Sequence, residues 1–431
     1  MKQQIVWSGL ALSSLVMADN LSFDGDYRAR FESFENMNEK YYGTNPKLGE
    51  ADDSYLLSRL ILGMRYKPTS DLMLRVSLED SRVIGWGFSD SNWYSKEFNQ
   101  EHSTQKDLID LHDCFVKYKH DNLSVTAGRQ RIAYGDLRVY GPGEWKNASK
   151  WYWDAVKVSY KEDKNFLDVF YGKNILHDPH RFSLDHRDGY TGAGLYGHYV
   201  YRDTAAIEPI LAYKKNDTKN EVYNALETYY SGFRAYDEDF HSFFYDTLYI
   251  KSTGDYTKLN NQKVDIDALG YHLEGGYKLK AIKTKVGMGY TYASGDDPNS
   301  EERETFDAVF GASDKYYGRL NLFSWDNLVD KEIFAVYNGI PKAKIKLEYH
   351  KFYADEPTDK WKTYKIPTMT HDHYGDEFDI MATYAYNKNL DLLFGVGTFT
   401  PGDYIKEAST KDPYITDDNA YAIYSQFEYK F

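Results

Sequence analysis

The stretch Tyr421–Phe431, YAIYSQFEYKF, limits what the chain can fold into more than any other. Tyr421, Ile423, Phe427, Tyr429 and Phe431 share one parity with Ser425. Ala422, Tyr424, Gln426, Glu428 and Lys430 share the other. A strand turns successive side chains to opposite faces, so one face is apolar and aromatic and the other mostly polar. Its length matches the roughly 9–11 residues with which a tilted strand crosses a bilayer. A bare aromatic strand is an aggregating edge unless it is paired. The simplest partner is the first strand of the same chain, which predicts a closed barrel.

The rest of the chain repeats this pattern, with gaps that alternate short and long. Strands are expected at Leu21–Phe34, Ser54–Lys67, Leu72–Val83, Asp107–Lys119, Leu123–Arg131, Ala155–Tyr160, Phe166–Lys173, Tyr190–Tyr201 and Thr204–Tyr213. They continue at Val264–Lys278, Ala281–Ser294, Glu332–Ile340, Ala343–Tyr353, Phe378–Tyr386 and Leu390–Thr400, with two more within Glu221–Ser252. The rhythm predicts an all-β fold: a transmembrane antiparallel β-barrel of about 18 strands, with short periplasmic turns and long extracellular loops. Met1–Ala18 reads as a secretory signal, with Lys2, an apolar run and a Val-Met-Ala end. The barrel then occupies 19–431 as one domain in the outer membrane of a Gram-negative bacterium.

Composition supports this. Mean hydropathy is -0.68, yet the chain holds 42 tyrosines and 17% aromatics. A barrel with a polar lumen, polar loops and an outer band edged by aromatics reconciles the two. No later run approaches the ~18 apolar residues of a membrane helix. Cys114 is the single cysteine, so no intramolecular disulfide exists, and it reads as a passive wall residue.

Parity assigns the lumen. Arg28, Arg30 and Glu32 point inward from the first strand, Arg59 and Arg65 from the second, and Arg75 and Glu79 from the third. A charge facing lipid at the midplane costs ~2–4 kcal/mol, which enforces the assignment. These arginines form a basic wall patch, read either as an anion-attracting constriction or as a wall neutralised by Asp24, Asp26, Glu32 and Glu79. Trp145, Trp151 and Trp153 are expected at the pore mouth. The net charge of -14 is expected mainly in the extracellular loops.

Val125–Tyr160, VTAGRQRIAYGDLRVYGPGEWKNASKWYWDAVKVSY, resembles the alginate export family of outer-membrane barrels. The resemblance rests on Gly128-Arg129-Gln130, Tyr134-Gly135, Trp145-Lys146-Asn147 and Trp153-Asp154-Ala155-Val156. Weaker similarity lies in Ser294-Gly295-Asp296 to Tyr316-Tyr317-Gly318, and in Gly375–Asp379 with Phe399–Gly402. It implies a porin-like channel for passive diffusion or export of a hydrophilic solute, in the best known case an anionic polysaccharide, and it makes Arg129 a lumen arginine. Alternation from Leu123, Val125 and Ala127 points Arg129 outward, so a bulge or strand end is expected there.

No phosphate-binding loop, metal-ligand spacing or nucleophile elbow is present, so no catalytic residues, cofactor or metal are expected. His371 and His373 carry only a weak metal signal. No basic stripe suggests nucleic acid. Expected partners are membrane lipid and lipopolysaccharide, an anionic sugar, and the barrel-assembly machinery through the strand ending at Phe431. Two alternatives remain: a secreted all-β carbohydrate-binding protein or hydrolase, and a structural or adhesive barrel plugged by its loops.

Overall fold

The computed structural model describes residues 20–39, 41–44, 52–95, 100–101, 103–143, 145–148, 152–182, 188–216, 225–258, 260–311, 316–361, 364–366 and 368–431. The signal segment 1–18 and Trp151 lie outside them. Eighteen strands form one antiparallel sheet. The first nine are β1 (Leu21–Glu35), β2 (Asp53–Tyr66), β3 (Leu72–Ile84), β4 (Asp107–His120), β5 (Leu123–Arg131), β6 (Tyr152–Glu162), β7 (Asn165–Ile175), β8 (Asp188–Arg202) and β9 (Ala205–Asn216). The rest are β10 (Ala225–Phe240), β11 (Phe243–Thr257), β12 (Lys263–Leu279), β13 (Thr284–Ala293), β14 (Leu328–Tyr337), β15 (Ala343–Tyr353), β16 (His373–Ala385), β17 (Leu390–Pro401) and β18 (Ala420–Lys430). Each strand pairs with its neighbours in sequence, and β18 pairs with β1 from Asp26↔Lys430 to Glu35↔Tyr421. The barrel is therefore closed, as the terminal strand predicts.

Short connections gather at one end and long segments at the other. The alternation places β10 and β11 where only two plausible strands could be read. The expected strands at Ala281 and Glu332 shift: residues 280–282 form a turn, and β14 starts four residues early at Leu328. An unforeseen helix, α1 (Asp403–Lys411), sits in the last long connection and buries Tyr404, Ile405 and Ala408.

The predicted faces hold. Leu56, Leu62, Met64, Leu74, Val76, Leu78, Ile423 and Phe427 are exposed on the outside, while Arg28, Arg30, Glu32, Arg59 and Glu79 are buried inside. Exposed aromatics gather near the short-turn end, among them Tyr199, Tyr201, Phe240, Phe243 and Tyr245, matching the girdle of a membrane barrel.

The inside departs from a wholly polar lumen. Toward the long-loop end the inward residues turn apolar: Tyr55, Leu57, Trp153, Phe170, Tyr196, Ile210, Tyr230, Phe352, Phe399 and Tyr424 are buried in one cluster. Long segments fold back onto them and add Tyr42, Tyr140, Phe306, Phe310, Phe323, Trp325 and Trp361. Burying such side chains is worth roughly 1.5–3 kcal/mol each. These described parts of the long connections are thus packed inside the barrel, while residues such as Asp297, Glu301 and Glu302 stay exposed.

Gly128 shows how closely adjacent strands approach. It takes φ +119, and a Cβ there would stand 2.3 Å from the Cys114 carbonyl oxygen. Gly128→Ala is expected to destabilise the barrel by about 1–3 kcal/mol, read as a lower temperature for loss of the compact form in heat-modifiability gels.

Candidate functional site

Two segments meet across the lumen. The first, following β5, carries residues 132–143 and 145–148, and the second, between β13 and β14, carries residues 306–311 and 316–320. They are joined backbone to backbone: Gly141 N donates to Phe310 O at 3.1 Å, and Phe310 N donates to Val139 O at 3.1 Å. The Arg138 guanidinium lies 4.5 Å from the Tyr316 ring centre, and the Tyr316 hydroxyl donates to the Asp136 carbonyl. Burial pushes the Asp136 carboxyl up, but Arg138 and Arg234 outweigh it and hold the group below its ordinary value. Lys214 pins the second segment to β9 through Asp307 at 2.7 Å and the Val309 carbonyl at 3.0 Å. Tyr140 ties the first to β9 through the Leu211 carbonyl at 2.7 Å.

The predicted basic wall holds the first segment in place. Arg30 donates to the Trp145 carbonyl at 2.6 Å and lies 4.2 Å from the Trp145 ring centre. Arg28 donates to the Lys146 carbonyl at 2.8 Å. Asn147 is fully buried, and its Nδ2 lies within 3.1 Å of the Ser58, Arg82 and Gln105 carbonyls. Glu32 accepts from Tyr55 at 2.7 Å and sits 2.6 Å from Arg30. Glu79 accepts from Ser81, whose hydroxyl also reaches the Asn147 carbonyl at 3.0 Å. Arg28 and Arg59 are direct cross-strand partners, a like-charge pairing that costs energy unless it is neutralised.

The other candidates separate. Arg65 stays half-buried near the short-turn end. Arg75 is tied to Asp24 at 2.8 Å and to Asp113 at 3.0 Å. Arg129 pairs bidentately with Asp154 at 3.0 and 2.8 Å. No register shift occurs here: Arg129 stays opposite Cys114 and Asp154 on the parity of Val116, Val125 and Val156, but unlike them it is buried, at 5% exposure. Trp145 is half-buried against Arg30 and against Tyr424, with ring centres 5.4 Å apart in the latter pair. Trp153 lies wholly within the apolar cluster, 4.6 Å from Phe310, so it lines no open mouth. His112 and Asp113 do not face opposite ways as simple alternation implies, because His112 Nδ1 is 3.5 Å from Asp113 Oδ2. His371 and His373 go to different carboxylates, Glu407 and Asp376.

Cavities lie on both sides of the meeting point. The one toward the short-turn end has a volume of about 840 Å³. Asp136, Arg138, Tyr316 and Arg319 border it, and Lys278, Lys280, Lys283, Lys285, Lys344 and Lys346 line it; its eight basic groups outnumber four acidic ones. Glu274 takes Lys285 at 3.0 Å, and Glu332 takes Lys346 at 3.3 Å. Lys283 and Lys344 form no ion pair among the described residues and remain exposed. The cavity toward the long-loop end, about 880 Å³, carries Asp296, Asp297, Glu301, Glu302, Asp307, Asp326 and Asp359 against five basic groups. Basic groups therefore prevail in the cavity at the short-turn end and acidic groups in the one at the long-loop end. Lys278 at the end of β12 and Lys285 in β13 are cross-strand partners, and Lys283 lies in the turn between them. Lys344 and Lys346, absent from the sequence-predicted candidates, share the parity of the buried Glu348 in β15, a signal that alternation alone carries.

The family described as alginate export matches residues 19–414. No curated protein matches the sequence. Among solved structures, Acinetobacter baumannii OccAB1 is similar at 14% identity over 95% of this chain and 97% of its own, with a TM-score of 0.61. Pseudomonas aeruginosa OccK11 (OpdR) is similar at 11% identity, over 96% and 97%, with a TM-score of 0.58. At such identities the likeness concerns the barrel fold alone, which is that of Occ outer-membrane porins.

Proposed function

Because the chain belongs to the alginate export family of Gram-negative outer-membrane channels, we propose that the solute it passes is a hydrophilic anion, an acidic oligo- or polysaccharide, gathered at the periplasmic mouth. The observation that carries this reading is the lysine-lined cavity at the short-turn end, with Lys283 and Lys344 uncommitted. A mouth of one sign concentrates counter-charged solute and raises its rate of entry. Rings of Lys and Arg favour anions in the same way.

The predicted selectivity residues divide the work in this reading. Arg65 adds charge to the wall near the same opening. Arg28 and Arg30 hold the narrowing segment in place, Glu32 and Glu79 support it through Arg30 and Ser81, Arg59 stands beside Arg28 on the wall, and Arg75 and Arg129 serve their own carboxylates. Trp145 borders the narrowing. Passage is passive and needs no catalysis. Residues 1–18 direct secretion, the barrel-assembly machinery engages the strand ending at Phe431, and lipopolysaccharide surrounds the outer rim.

Planar bilayers under a salt gradient test this. The wild-type chain is expected to reverse on the anion-selective side. Lys283→Glu with Lys344→Glu should move the reversal potential toward cations without loss of assembly, because neither lysine holds an ion pair among the described residues. An acidic oligosaccharide should block current more strongly from the periplasmic side. Cation-selective current from the wild type overturns the anionic solute and leaves the channel. A folded barrel without current favours the plugged, adhesive reading, which the apolar packing inside the long-loop end supports.

A further inference from the structure

Asp107 opens β4, and Asp110 follows three residues later, an offset that a regular strand splits between its two faces. Here both are buried inside, at 1% and 2% exposure, while Leu108 and Ile109 between them are exposed. Ile109 takes φ +46, and the β3–β4 pairing shifts register on this stretch. A β-branched residue in the left-handed region is an uncommon and costly conformation. Its effect is to turn two carboxylates to the same side.

The chain leaving β7 then brings His177 over them. His177 is 4% exposed, and its Nδ1 stands 2.5 Å from Asp107 Oδ2. Asp107, Asp110 and His177 each offer one donor atom within 4.8 Å of the others. Glu79 stands directly opposite Asp110 in the β3–β4 register and is also buried, with His112 Nε2 at 3.6 Å. Desolvated carboxylates gathered in this way are costly without a compensating cation. Asp107 Oδ1, His177 Nε2 and Glu79 Oε2 are buried and have no hydrogen-bond partner among the described residues.

We propose that Asp107, Asp110 and His177 bind one divalent first-row transition-metal ion, with Glu79 beside it. An imidazole with carboxylates suits Zn²⁺ or Mn²⁺ better than Ca²⁺ or Mg²⁺. The ion links β4 to the exit of β7, across the ends of β5 and β6. It also steadies the narrowing segment, because Gln105, just before Asp107, accepts from the Asn147 backbone N–H at 3.1 Å and from Asn147 Nδ2 at 3.0 Å. Asp90, Glu101 and His180 form a separate and more exposed group nearby.

The test uses the full chain in detergent, stripped with chelator and titrated with Zn²⁺, with bound metal counted by mass spectrometry. Wild type is expected to retain one Zn²⁺ per chain. His177→Ala and Asp110→Asn should lose it, while His180→Ala keeps it, all three variants remaining heat-modifiable. Asp110→Asn preserves the side chain's size and carries the test if His177→Ala fails to assemble. Wild type retaining no more zinc than His177→Ala overturns the proposal, because the pocket then holds water. Loss of zinc in His180→Ala alone also overturns it, because the exposed group is then the site.

Discussion

Asn147→Ala is expected to raise single-channel conductance severalfold and make it noisier, while the protein still assembles. Asn147 reaches three separate backbone carbonyls, those of Ser58 in β2, Arg82 in β3 and Gln105 just before β4. Its Oδ1 also lies 3.4 Å from Arg28 Nη2. Alanine removes all of these contacts inside a site that excludes water. Each buried group left without a partner costs about 1–3 kcal/mol. Ser58 and Arg82 keep their places in the β-ladder, so the penalty falls mainly on the docking of the segment and not on the barrel. Arg30→Ala should act in the same direction, since it removes the bond to the Trp145 carbonyl and the contact with the Trp145 ring. Conductance unchanged in both variants would mean that the segment is held by its junction with Phe310 and not by the basic wall.

The largest effect on assembly is expected from deleting Ala420–Phe431. That strand supplies the partner of β1 from Asp26 to Glu35 and of β17 from Leu390 to Phe399. Without it both neighbours expose unpaired N–H and C=O groups to lipid, where each unsatisfied group costs several kcal/mol. No heat-modifiable, membrane-inserted species should form. Removing Phe431 alone is a milder change. It takes away the reciprocal pair in which Gly25 N donates to Phe431 O at 2.8 Å and Phe431 N donates to Gly25 O at 3.0 Å. The shortened chain should assemble with reduced yield, measured as the ratio of compact to unfolded band.

Much of the barrel was legible because the signal is local. Strand parity needs only residues two apart, so Leu56 to Tyr66 and Tyr421 to Phe431 declared their outward faces without any knowledge of partners. The rhythm of gaps then gave strand order and closure. The apolar inner face near the long-loop end also left a trace, since Tyr55, Leu57, Ala422 and Tyr424 sit on the lumen parity. That trace marks where the long segments fold in.

The site was less legible, because its contacts join residues far apart in sequence. Arg30 and Glu32 were read correctly as inward, but only the folded chain brings Trp145 onto Arg30 and Phe310 onto Tyr140. Arg129 keeps unbroken register on the parity of Val125, yet it is buried, held by Asp154 and the Leu111 carbonyl, contacts that no local pattern announces. Asp107 and Asp110 share a side only because Ile109 adopts a positive φ, a backbone choice that no spacing rule announces. By itself the sequence determined the staves, their faces and the closed barrel, since period-two patterning and short turns are local properties. Only the tertiary structure decided what fills the lumen, where it narrows and which charges stay free, because those depend on packing and pairing across the barrel.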